Sequence, residues 1–191
     1  MLNRKTTVPV SRAVPFAFPE DIDRHWNKAD PEISAMANGA SLTMPFLEPF
    51  LIKAIRDCLE FVDDPRLKEE IDGFCQQEAH HFKAHRRYND MLKKNGYPEL
   101  AALEQEMKRA YIELGKRSLQ KRMAYTAGFE AMTMGITKWI IGDRVKLFAG
   151  SDPRVASFMI GIWLKKQNIN ASPMTPIPPS MEIVCLPIGT V

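Results

Sequence analysis

Cysteine is scarce and shows no pairing pattern. Cys58, Cys75 and Cys185 are widely spaced with no C-x-x-C, which excludes both a disulfide framework and the usual zinc ligand spacing. Long apolar runs are missing too: none approaches the roughly 20 residues that cross a bilayer, so no membrane span is expected. Residues 1–19 mix basic residues with prolines and lack the apolar core of a signal peptide, which points to the cytoplasm. No glycine-rich phosphate loop or internal repeat occurs, and strand-type alternation is scarce before residue 180. A strong charge of one sign is also lacking. The net charge of +3 is dispersed, and the one basic cluster, Lys116, Arg117, Lys121 and Arg122, reads as a solvated helix face, so no nucleic acid is expected. With 191 residues, 45% apolar and 26% charged, the chain has the make-up of one ordinary globular domain.

Helical periodicity is what remains. A first helix is expected over about 45–62, capped by Ser41 or Thr43, with a short or kinked first turn because Pro49 cannot donate a backbone bond. A second is expected over 65–94, ending at Asn95-Gly96-Tyr97-Pro98, where glycine permits a left-handed cap and proline bars continuation. A mixed helical stretch at 99–115 and a longer helix at 118–141 follow. The fold class is all-α, a helix bundle. Residues 1–40 form an N-terminal arm anchored by Phe16, Phe18 and Trp26, and residues 41–160 form the helical domain. Residues 161–191, with prolines at 173, 176, 178, 179 and 187, are expected to be an irregular tail.

Three glutamates stand where these helices call for apolar residues: Glu48, Glu78 and Glu130. Counted in threes and fours from Ile71 and Phe74, the stripe of the second helix reaches 78, 81, 82 and 85, so Glu78, His81 and His85 face inward and His80 faces away. An ionised carboxylate left alone in an apolar interior costs many kcal/mol, so it must be paired, protonated or bound to a metal. Four-helix carboxylate proteins that bind two metals take one Glu from each of two helices and a Glu-x-x-His pair from each of the other two. Glu48, then Glu78 with His81, then Glu130 supply three of those four helices as candidate ligands, for a divalent metal such as iron or manganese. His85 and Thr126 are candidate hydrogen-bond donors behind the ligands, with a satisfied core histidine as the alternative for His85. Tyr125 is expected in the core. The competing reading makes Glu78, His81 and Glu130 a buried polar network in a non-catalytic module.

Four segments carry a resemblance: Met44-Pro-Phe-Leu-Glu-Pro-Phe-Leu, Phe74-Cys-Gln-Gln-Glu-Ala-His-His, Arg122-Met-Ala-Tyr-Thr-Ala-Gly-Phe-Glu and Leu147-Phe-Ala-Gly-Ser-Asp-Pro-Arg. Over about residues 12–160 the chain resembles the bacterial family of predicted metal-dependent hydrolases. The resemblance implies a metal-dependent hydrolase with Glu48, Glu78, His81 and Glu130 as ligands, whereas the ligand types suit a ferritin-like dimetal site. Two enzyme readings follow, a hydrolase and a di-iron oxidoreductase acting on a small apolar substrate.

The family's last motif, Trp-His followed by Glu-Glu-x-Glu-His-Lys, is missing after Asp152-Pro153-Arg154-Val155. Codons permitted for residues 160–177, read from the third base of the first, give W-H-L-A-E-E-T-E-H-K-C-V-A-Y-D-A-Y. Codon choice supplies part of that match, but a run of this length supports a frameshift after about residue 159. The fourth ligand helix would then be lost or replaced by an out-of-frame tail. The chain could be a truncated, inactive product, and the groove left open would favour homo-oligomers. A nucleotide read of the source gene across codons 150–191 is expected to show one missing base whose restoration returns W-H-x-x-E-E-x-E-H. The same frame in independent isolates would sink the idea.

Overall fold

A computed structural model describes residues 16–171, and within them every regular element is helical: α1 Pro31–Asp57, a 3-10 turn Leu59–Phe61, α2 Pro65–Lys94, α3 Leu100–Gly115, α4 Leu119–Gly142, α5 Arg144–Leu147 and α6 Pro153–Ala171. α1 is the hub, packed most extensively on α2 and also on α3 and α4, while α6 lies against α4. None of the described helices is long and apolar enough to cross a membrane.

α1 starts well before the expected residue 45. Asp30 caps it, its carboxylate accepting from the amides of Glu32 and Ile33, and Pro31 takes the first turn, where a missing N–H costs nothing. Residues 31–40 are therefore helix, not arm. Pro45 and Pro49, which looked like helix-opening residues, lie inside α1. A proline in a helix interior leaves the carbonyl four residues back without its usual donor. For Pro45 that carbonyl is Ser41 O, and the Asn89 side-chain amide on α2 donates to it at 3.0 Å.

α2 has the expected bounds. Asp64 accepts from Arg66 N at its start, and at its end Gly96 adopts a φ of 122° while Tyr97 N donates back to Leu92 O. α6 departs from expectation: a helix continues to Ala171 where a tail was expected from 161. Val155, Phe158, Met159 and Ile162 repeat at helical spacing and are all buried, and the first proline comes only at 173. Residues 172–191, which hold most of the expected irregular segment, lie outside the described residues.

The arm is anchored as expected. Trp26 is 1% exposed and stacks on Phe148, while Phe16 and Phe18 pack edge-on against Phe158 of α6. Asn38 of α1 gathers these parts, its Oδ1 accepting from Trp26 Nε1 at 3.0 Å and from Tyr88 Oη of α2 at 2.6 Å. A short antiparallel bridge joins Asn27 to Ser151, with Lys28 N donating to Gly150 O and Asp152 N to Trp26 O. Gly150 there has a φ of 73°, and a Cβ on it would lie 2.9 Å from the Ala29 side chain. Gly150→Ala therefore combines backbone strain with a clash and is expected to lower stability by about 1–3 kcal/mol. The midpoint of urea unfolding checks this.

Candidate metal centre

Glu48 comes to the centre from α1, on the stripe that also buries Leu47 and Leu51, and is 0% exposed. Glu78, His81 and His85 come from α2 at i, i+3 and i+7, one face of two turns, and all three are buried. His81 is the focus. Its Nδ1 lies 2.5 Å from Glu48 Oε1 and 3.3 Å from Glu78 Oε2, and its Nε2 lies 3.3 Å from His85 Nε2. His85 Nδ1 in turn lies 2.8 Å from Ser41 Oγ, which donates to Asn89 Oδ1 at 2.7 Å.

Burial by itself disfavours a charged imidazole at His81. The Glu48 charge and hydrogen bond, followed by the hydrogen bond and charge of Glu78, outweigh burial and push the pKa up to about 9. In the metal-free protein at neutral pH the ring is an imidazolium, its Nδ1–H facing the two carboxylates and its Nε2–H facing His85. One of the two positive charges that two buried carboxylates call for is thus supplied by a proton.

Glu48, His81 and His85 each bring a metal-capable atom to within 4.8 Å of the other two, the one group of three or more such side chains among the described residues. Two imidazoles and a carboxylate are an intermediate donor set that suits zinc, iron or manganese. Atoms around one ion at roughly 2.0–2.2 Å lie at most about 4.4 Å apart, so small side-chain rotations would close the set. The residues fit a divalent ion.

Of the four candidate ligands, Glu48 and His81 fall in this cluster, and Glu78 touches it through His81 Nδ1. Glu130 lies on the inward stripe of α4, half-buried between the turns of Thr126 and Thr133, outside the cluster of three. His85 was expected to stand behind the ligands and instead belongs to the cluster. Its spacing of four from His81 on one helical stripe was the signal for that. Thr126 is buried but donates to Arg122 O of its own helix at 2.9 Å, so its hydroxyl proton points along α4. Tyr125 is not a core residue: it is 37% exposed, with its hydroxyl 2.9 Å from that of Tyr111. Ser41 and Asn89 escaped sequence reasoning, although Asn89 sits four residues beyond His85 on the same stripe.

A cavity of about 440 Å³ opens beside the two histidines. Its wall is almost wholly apolar, with Met44, Phe129, Met132, Ile136, Met159 and Ile162 among the lining side chains. Ser41, Thr43 and Thr133 add hydroxyl-bearing residues to the wall.

The family model described as predicted metal-dependent hydrolase matches residues 10–160. No curated protein and no solved structure matches.

The His81 imidazolium predicts how stability responds to pH. Its folded pKa of about 9 exceeds the roughly 6.5 of an unfolded histidine, so the folded state holds the extra proton between those values. The contribution is fully present below about pH 6.5 and is lost as pH rises through about 9. Chelator-treated protein is expected to unfold at progressively lower urea between pH 6.5 and 9, with a weaker slope in His81→Gln.

Proposed function

The chain belongs to the predicted metal-dependent hydrolases, and on that premise we propose that it is a metal-dependent enzyme whose site is the Glu48, His81 and His85 cluster. The carrying observation is that three buried donors from two helices converge within 4.8 Å, two of them, His81 and His85, at the wall of an apolar cavity. Glu78 and Glu130 join as ligands in the dimetal form of the reading, Glu78 from its contact with His81 Nδ1 and Glu130 from its place on the inward stripe of α4. A divalent ion held there would supply Lewis-acid activation of water or of a carbonyl for hydrolysis, and iron or manganese would add redox chemistry. The protein supplies the rest. Glu48 and Glu78 hold the His81 proton at Nδ1 in the metal-free protein. The Met, Phe and Ile wall selects a small, mostly apolar substrate and keeps bulk water from the reacting group.

The oxidative alternative, a di-iron oxidoreductase on an apolar substrate, draws on the same carboxylate and histidine donors and the same wall. A non-catalytic module is favoured by one observation: His81, beside the Glu48 carboxylate, is linked through His85 and Ser41 to Asn89 by side-chain contacts within hydrogen-bond reach.

The frameshift reading gains two supports. The family match ends at residue 160, where the alternative frame begins. α6 carries no Asp, Glu or His, and its Ile162 lines the cavity together with His81 and His85. With one base restored, the histidine of the Trp-His pair falls at position 162, and the later glutamates and histidine follow at helical spacing. The chain as written would then hold metal with an incomplete site.

Purified protein loaded separately with Fe(II), Mn(II) and Zn(II) tests the assignment by metal content, oxygen uptake and ester hydrolysis. Glu48→Ala and His81→Ala are each expected to weaken metal binding by about tenfold or more. Loss of metal in Glu130→Ala would place a ligand on α4. Zinc retention with no oxygen uptake would count against the oxidative version, and metal content near zero in every form would leave the non-catalytic module.

A further inference from the structure

We propose that Ser41, Asn89 and Pro45 form a device that fixes the tautomer of His85, holding its proton on Nδ1 so that the Nε2 lone pair faces His81 and Glu48. The consequence for metal binding rests on the functional reading above, but the tautomer itself does not.

The geometry leaves little choice. Pro45 has no N–H, so Ser41 O lacks its helical donor and accepts instead from Asn89 Nδ2 at 3.0 Å. That bond settles which end of the Asn89 amide is which, since an amide oxygen turned toward a carbonyl would be repelled. Asn89 Oδ1 therefore faces Ser41 Oγ, 2.7 Å away, and takes the single hydroxyl proton. Ser41 Oγ has only lone pairs left for His85 Nδ1 at 2.8 Å, so that nitrogen must be the donor. A neutral imidazole protonated at Nδ1 has a bare Nε2, and here it points at His81 Nε2, 3.3 Å off. Every member is buried: Ser41 is 1%, Asn89 0% and His85 5% exposed. In such surroundings an unmade hydrogen bond is costly enough to suppress the other tautomer. Ser41, Asn89 and Pro45 are thus positioning residues, and a proline in mid-helix has a purpose beyond bending α1.

The test is a long-range proton–nitrogen correlation spectrum of the full chain, chelator-treated, with nitrogen-15 in the histidine rings. His85 is expected to show the Nδ1–H pattern. Ser41→Ala should shift it toward Nε2–H or a mixture, Ser41→Thr should restore it, and Pro45→Ala, which returns an N–H to compete for Ser41 O, should shift it in part. Zn(II) titration of the same samples should show weaker binding in Ser41→Ala by about tenfold, with recovery in Ser41→Thr. An Nε2–H pattern in the unaltered chain would overturn the proposal. So would an unchanged His85 pattern in a folded Ser41→Ala. Should Ser41→Ala fail to fold, the Pro45→Ala spectrum decides in its place. Absence of Zn(II) binding with the Nδ1–H pattern intact would defeat the metal assignment and leave the tautomer device standing.

Discussion

Two carboxylates buried on neighbouring helices require positive charge between them, and the rest of the domain is arranged to provide it. Glu48 on α1 and Glu78 on α2 both approach His81 Nδ1. Either carboxylate left alone in that interior would be expensive enough to unfold a domain of ordinary stability. The extensive α1–α2 packing holds them in place, and apolar residues of α4 and α6 wall the cavity beside His81 and His85. A proton on His81 meets half of the requirement in the metal-free protein, and a divalent ion would meet all of it in the loaded one. The same constraint that threatens the fold therefore defines a cation site.

What the sequence displayed depended on whether a signal was local. Glu78, His81 and His85 occupy stripe positions of an uninterrupted 30-residue helix with a proline at its start and a glycine just past its end, so their burial could be read by counting. Glu48 was legible for the same reason. The start of α1 was not, because proline reads as a helix opener, and only a side chain 44 residues away, Asn89, makes Pro45 acceptable in the interior. His85 was placed on the correct face, but its contact with Ser41 could not be read, since Ser41 belongs to a stretch of α1 that local signals assigned to a cap. Glu130 illustrates the limit of stripe counting: Thr126, Thr133 and Thr137 are more deeply buried than it is, each donating to a carbonyl of its own helix.

α6 separates folding from chemistry. Its first turns carry an apolar face good enough to close the bundle, with Phe158 against His85, Tyr88 and the arm. The helix carries no Asp, Glu, His or Cys. Packing asks only for volume and apolarity at positions such as 155, 158, 159 and 162, whereas ligation asks for particular atoms. A helix can therefore meet the first demand while failing the second.

Asn38 ties the segment before α1 to α2. Its one side-chain oxygen serves both Trp26 of the arm and Tyr88 of α2, and Tyr88 lies one helical turn from His85. A dissection that began at the first residue of α1 would look reasonable from the helix map. It would strip the indole from Asn38 and the Phe18 ring from Tyr88. The residues from Phe16 to Asp30 thus pack behind the helix that carries the histidines, through Tyr88 and Phe158.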